Sequence, residues 1–395
     1  MTAPDQAGIG GSSFSVSARL AWFYGALFLS VGVHMPYFPL FLQSRGLDAV
    51  QIGFLLGAAR WAQMVTSPWI ARVADRRRER KRPLILLAVA SMAAFALYGL
   101  GHGFAAMLLP AILTAILFPP LMPLGDNLTM RAAYARKLDY GRIRLWGSVT
   151  FIAASFGGGL LLEGRDPTLI WIMILGCLGL TALSTLTLPD MRPAASGGAG
   201  ISMWRLLRNR VYLLFLFSAG ANMAGHTVLY AFGTLHWQAA GLSGGQIGWL
   251  WAEGVIVEIG LFAISGTLIA RFGPARLLQL ACLAGVLRWT IMGLSTDFWV
   301  LVASQVLHGV TFAVAHLAAM HFLTRSAPPG LSATTQSLYT AIGSGAAMGV
   351  GLIVSGYLYD WFGGGAFFFM AALCLAGTAG AVLLARRWDG EALRL

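Results

Sequence analysis

The chain has 395 residues, of which 57% are hydrophobic and only 11% charged, and its mean hydropathy is +0.72. Soluble domains carry about 25% charged residues, so an ordinary soluble enzyme, a disordered chain and a coiled coil are excluded in favour of a polytopic membrane protein. The net charge of +12 comes from basic residues clustered between apolar runs, the pattern that orients a membrane protein, and nucleic acid is not an expected partner.

The opening stretch has one basic residue, Arg19, and no small-residue cleavage site after the first apolar run. It is read as a cytoplasmic tail and not a signal peptide. Twelve candidate spans follow, each near the ~20 apolar residues a crossing helix needs. In the first half they run over roughly 19–41, 50–70, 83–102, 104–126, 142–162 and 168–188. In the second half they run over roughly 211–237, 246–269, 276–296, 298–323, 333–358 and 364–385. Helices are expected throughout, because open sheet edges cannot face lipid and the runs lack the alternation of a barrel.

Basic residues concentrate at 72–82, 131–144 and 192–210, and others near the span ends fall on the same side. Both termini are therefore expected in the cytoplasm. The segment 189–209 is rich in Pro, Gly, Ala and Ser and reads as a cytoplasmic linker between residues 1–188 and 210–395. A repeat supports the division: Gln51-Ile52-Gly53-Phe54-Leu55 recurs as Gln246-Ile247-Gly248-Trp249-Leu250. The same offset places Ala71–Arg78 on Gly266–Gly273. Cys177, Cys282 and Cys374 lie inside apolar runs at wide spacing and read as buried packing residues, with no metal or disulfide role.

An ionisable side chain at the bilayer centre costs about 2.5 to 3.5 kcal/mol on insertion scales, so each is a candidate for function. Glu258 sits near the middle of the eighth span, where an isolated carboxyl is suited to carry a proton or to make a fixed bond to another helix. Glu253 is about one turn away on the same span. Arg288, at similar depth in the ninth span, keeps its charge. It is expected either to grip a substrate carboxylate as a bidentate fork or to pair with Glu258. Asp126 and Arg144 flank a short loop and are expected to meet, as a site or as a rim salt bridge. His308 and His316 share a broad face of the tenth span and are suited to proton relay or to interhelical bonding. Asn222, His226 and Tyr230 follow at i, i+4 steps along the seventh span as a polar stripe suited to a cavity wall. His34 is the comparable position in the first span, and Arg60 in the second is left open. Pro119, Pro120 and Pro123 are expected to break the fourth span. Gly345, Gly349 and Gly351 form a close-packing face on the eleventh.

The segment Ala71-Arg72-Val73-Ala74-Asp75-Arg76-Arg77-Arg78-Glu79-Arg80-Lys81 resembles the major facilitator signature G-x-L-A-D-R-x-G-R-K. Asp75 and Arg76 match, while Ala71 and Arg78 replace the glycines. The segments 120–128, 138–151, 236–251, 285–293 and 305–320 resemble the 3-phenylpropionate permease group, which is related to the lactose permease-like proton symporters. Asp126, Arg144, Arg288 and His308 stand at positions similar to functional residues there, with Thr311 where those sugar carriers place a carboxylate.

The resemblance implies an all-α membrane protein of twelve transmembrane helices in two pseudo-symmetric six-helix bundles, which rock around a central cavity. It implies a bacterial-type inner-membrane carrier for proton-coupled uptake of a small aromatic carboxylate. Glu258 would carry the proton with help from His308, Arg288 would face the carboxylate, and the Asp75–Arg76 loop would steady the conformational switch. The expected partners are the substrate, protons and lipid, with the protein a monomer. No phosphate loop, CxxC or HExxH motif is present, so neither a cofactor nor enzymatic activity is expected. The alternatives are a sugar, nucleoside or drug carrier on the same scaffold, and a non-transporting sensor or assembly factor.

Overall fold

The computed structural model describes residues 12–76, 81–189, 203–328 and 331–393. They are helical, as apolar segments must be when their backbone polar groups have no water to bond. In the first half the helices are α1 (Ser13–Ser44), α2 (Ala49–Arg76), α3 (Lys81–Ala96), α4 (Gly103–Leu117), α5 (Leu121–Arg136), α6 (Tyr140–Leu162) and α7 (Thr168–Thr187). Then come the single turn α8 (Met203–Leu206), α9 (Arg210–Ala224), α10 (Thr227–Ala239), α11 (Gly244–Ala263) and α12 (Ser265–Leu294). The last are α13 (Phe298–Gly309), α14 (Ala315–Ser326), α15 (Ser332–Leu338), α16 (Ala347–Phe362) and α17 (Ala366–Arg387). Side chains fix several starts: Ser12, Asp139, Asn209 and Asp297 cap α1, α6, α9 and α13. Ser243 and Gln246 form a reciprocal capping box at α11.

Several expected spans are interrupted. The fourth divides into α4 and α5 at the Pro119–Pro120 step, as its prolines lead one to expect. The seventh divides into α9 and α10 around Gly225 and His226. A Cβ at Gly225 would stand 2.7 Å from Cys374 Sγ, so glycine lets this joint approach α17. α12 is bent at Gly273, whose φ of 70° precedes Pro274. Two wide π-helical turns, Val310–Val314 and Tyr339–Ala346, join α13 to α14 and α15 to α16. Such turns shift the register of a helix and recur at functional positions. The expected linker falls largely outside the described residues, which resume at α8.

The fold resolves into two compact units, Met1–Leu47 with Trp61–Ser196, and Asp48–Arg60 with Gly197–Leu395, so the boundary runs through α2. In the first unit α1 packs on α6 and α7. Val16, Leu20, Phe23, Leu27, Leu84, Leu124, Leu128 and Ile143 form its apolar core. Ser30 bonds Thr181 at 3.2 Å, and Ser155 Oγ donates to the Gly32 carbonyl at 3.2 Å. In the second unit α9 packs on α17, and α12 on α14 and α17, around Tyr212, Phe215, Leu278 and Phe322. Gly53 and Gly57 lie against Gly356, Leu352 and Gly349 at backbone contact, where a Cβ would come within 2.7 Å.

A Cβ on Gly32 would meet Ala154 Cβ and the Phe151 carbonyl at 2.8 Å. Gly32→Ala is therefore expected to force α1 and α6 apart and cost about 1–3 kcal/mol. The measurement is a thermal melt in detergent, and a melting temperature equal to the parent's would contradict this packing.

Candidate functional site

The polar centre of the second unit is assembled from four elements: α12 supplies Arg288, α13 supplies Gln305 and His308, the π turn after it supplies Thr311, and α11 supplies Glu258. Arg288 is fully buried. Its Nη1 donates to His308 Nδ1 at 3.0 Å and to Thr311 Oγ1 at 3.1 Å, and its Nη2 donates to Gln305 Oε1. The guanidinium also covers the Trp289 ring, 4.5 Å from its centroid, a cation–π contact.

A guanidinium donates and never accepts, so His308 Nδ1 is the acceptor and the imidazole hydrogen sits on Nε2. That Nε2 faces Glu258 Oε1 at 2.7 Å. Arg288 and Glu258 are thus joined through one imidazole. Among the described residues no carboxylate is within ion-pair reach of Arg288, whose partners are all neutral, and its Nε is buried without a partner.

A second chain of bonds ties α9 to the π turn. Asn222 Nδ2 donates to the Thr311 carbonyl at 2.8 Å. His226 Nδ1 donates to the Asn222 carbonyl at 2.9 Å, leaving Nε2 to accept from Thr311 Oγ1 at 3.1 Å. Aromatic rings close around this: Phe312 stacks on His308 at 5.5 Å, and Trp289 meets His226 edge-on at 5.0 Å. The arrangement holds a fixed cation with spare hydrogen-bonding capacity beside a carboxyl reached through a protonatable relay. An organic anion and a proton are the species it can accommodate together.

The family model described as MFS_1 like family matches residues 17–370. The chain belongs to this family of major facilitator transporters. It is 33% identical over 362 residues to the "Probable 3-phenylpropionic acid transporter" of Escherichia coli strain K12, covering 90% of this chain and 94% of that one. It is 28% identical to the "Maltose permease" of Geobacillus stearothermophilus, covering 92% and 93%. The crystal structure of the nucleoside transporter NupG superposes with a TM-score of 0.84 at 17% identity, over 94% of this chain and all of that one. The protein is a multi-pass membrane transporter with the twelve-helix facilitator fold, and not an enzyme.

Among the sequence candidates, Glu258, His308, Arg288, His226 and Asn222 come together in the transporter's second unit. Tyr230 lies beside His226, 5.6 Å between centroids, and stacks on Trp251. The Asn222–His226–Tyr230 stripe is not one continuous helix face, because the chain breaks at Gly225. His316 meets Phe262 edge-on and interacts electrostatically with Glu258. Glu253 is buried, with its Oε2 unpartnered.

In the first unit the expected meeting of Asp126 with Arg144 does not occur. Asp126 Oδ1 accepts from the hydroxyls of Tyr24 at 2.6 Å and Tyr140 at 3.1 Å. The Arg144 guanidinium instead lies over the rings of Phe28 at 4.1 Å and Tyr24 at 5.3 Å. Tyr24 separates the two charges while touching both. His34 stacks on Phe38 at 4.5 Å and meets Phe95 edge-on, within an aromatic cluster. Asp75 and Arg76 end α2, and their side chains lie outside the described residues.

Gln305 and Tyr24 are the site neighbours that sequence reasoning missed, and Thr311 was noted only as a departure from the sugar carriers. Gln305, His308 and Thr311 recur at intervals of three along an apolar span. That polar stripe is the signal that marks them.

Proposed function

We propose that the transporter takes up a small aromatic carboxylate together with a proton, by alternating access across a bacterial inner membrane, with both termini in the cytoplasm. Residues 1–188 and 210–395 act as the two six-helix bundles. The observation that carries the reading is Arg288: a fully buried cation, bonded only to neutral partners, is a receptor for an anion. Arginine's planar fork suits a carboxylate. His226, Asn222, Tyr230 and His316 contribute the polar wall around it.

Charge balance supplies the coupling. Arg288 and Glu258 together are neutral, which a low-dielectric interior strongly favours. A bound monocarboxylate adds one negative charge, and one proton on Glu258 removes it. His308 lies between them and communicates each event to the other. The aromatic character of the substrate is supported by the relative from Escherichia coli, whose name specifies 3-phenylpropionic acid.

The test is uptake of labelled 3-phenylpropionate into proteoliposomes with and without an inward proton gradient. Accumulation above equilibrium only with the gradient is expected. Uptake of neutral solutes alone, in either condition, would contradict the substrate class. Absence of counterflow with every solute tried would contradict carriage itself.

A further inference from the structure

The imidazole bonded to Glu258 does not lead a proton away from it. His308 accepts from Arg288 at Nδ1, 3.0 Å away, and turns its Nε2 hydrogen to Glu258 at 2.7 Å. Both ring nitrogens are engaged, and an arginine does not give up its own proton. While Arg288 holds Nδ1, His308 couples the two charges but offers no onward path. The Glu258 side chain is 15% exposed, so the carboxyl is not sealed by that contact.

A second imidazole, His316, approaches the same stretch of α11. Eight residues carry an α-helix about 80° beyond two full turns, which would swing His316 away from the face of His308. The π turn Val310–Val314 lies between them and takes up one residue, so the two histidines return to one face. Both meet α11: His308 bonds Glu258, and His316 meets the Phe262 ring edge-on at 6.5 Å, one turn along from Glu258. Glu258 and His316 interact electrostatically.

Whereas His308 is buried, His316 is exposed. It lines a cavity of about 230 Å³ whose wall also carries Phe312, Gln336, Tyr339 and Thr340. Gln336 and Thr340 are exposed as well, and the volume admits several waters. Tyr339 is the other titratable side chain in this wall, and Glu258 is the charged group acting on the ring. α14 continues from His316 to Arg325, a basic end of the kind that faces the cytoplasm.

We propose that His316 is the proton relay on the cytoplasmic side of the transporter, taking the proton from Glu258 and releasing it to water in this cavity. Glu258 gives its carboxyl proton to one imidazole nitrogen, leaving a carboxylate and an imidazolium. The imidazolium then yields a proton to water from its other nitrogen and becomes neutral again. The inference rests on Glu258 as the carrier of the coupling proton, and it adds the residue through which that proton leaves.

The experiment compares the full-length wild type with His316→Gln and His316→Ala in proteoliposomes. Two rates are measured for labelled 3-phenylpropionate: initial uptake driven by an inward proton gradient, and counterflow, which moves no net proton. Both variants are expected to lose at least roughly tenfold more of the gradient-driven rate than of the counterflow rate, since a positioned acid–base group is worth that much or more. Added imidazole, which fits the space the ring leaves, is expected to speed gradient-driven uptake by His316→Ala and to leave the wild type unchanged. A lost packing or binding contact lowers both rates alike and does not respond to imidazole. If the two rates keep their wild-type ratio, or if imidazole does not speed His316→Ala, the relay is wrong and Glu258 remains the carrier. If Glu258→Gln, measured alongside, still concentrates substrate, the carrier reading fails and the relay fails with it.

Discussion

Arg288→Gln is expected to weaken carboxylate binding by roughly a hundredfold or more, since losing one member of a buried, hydrogen-bonded charge pair costs about 3–5 kcal/mol. Glutamine can still bond Gln305 or Thr311, so packing around Trp289 is largely kept, but the charge is gone. Arg288→Lys is expected to recover only part of the affinity, because an ammonium cannot replace the fork that reaches His308, Thr311 and Gln305 at once. Arg288→Gln also leaves Glu258 as an unbalanced acid, so this single variant should melt earlier than the wild type. The double variant Arg288→Gln, Glu258→Gln restores neutrality and is expected to regain stability without regaining binding. Calorimetry with 3-phenylpropionate and a thermal melt on the same samples separate the two effects. An Arg288→Gln protein that binds within about threefold of wild type would remove Arg288 from the site.

Glu258→Gln is expected to leave exchange intact and abolish uphill accumulation. The amide keeps the shape of the acid, and its oxygen still accepts from His308 Nε2, so the 2.7 Å contact survives. What is lost is the proton. In proteoliposomes the variant should equilibrate labelled substrate by counterflow at a rate comparable to the parent, and under an inward proton gradient it should accumulate no more than the ungraded control. A variant that still concentrates substrate would place the coupling proton elsewhere. Glu253, the buried acid of α11, is then the first residue to substitute.

The membrane architecture is readable from sequence because a bilayer imposes one requirement on every span, a long apolar helix. The breaks at Pro119–Pro120 follow from the missing amide hydrogens. The break at Gly225 does not announce itself, since it depends on how closely Cys374 on α17 approaches. The π turn at Val310–Val314 is equally silent, although it brings Thr311 to meet Arg288, Asn222 and His226 together. In the candidate site, single residues were legible as costly polar groups in an apolar run. Their partners were not, because pairing between spans is a matter of helix rotation and tilt. Thus Glu258, Arg288 and His308 each stand out, whereas the junction of the first two through the imidazole depends on how α11, α12 and α13 are rotated against one another. Asp126 and Arg144, close in sequence, are held apart by a tyrosine from α1 that no local pattern indicates. Gln305 does not stand out in the sequence because an uncharged amide costs less in a span than an acid or a base.

In the proposed mechanism one substrate carboxylate on Arg288 is balanced by one proton on Glu258, so that the loaded carrier gains no net charge. One net charge crossing 100 mV is worth about 2.3 kcal/mol, so a carrier whose loading is not neutral must respond to voltage. The direct measurement is uptake of labelled 3-phenylpropionate into proteoliposomes energised either by a pH gradient with the potential clamped to zero or by a potassium diffusion potential at equal pH. Accumulation driven by the pH gradient and unaffected by the potential is the predicted result. Accumulation driven by the potential alone would contradict the one-for-one balance between Arg288 and Glu258.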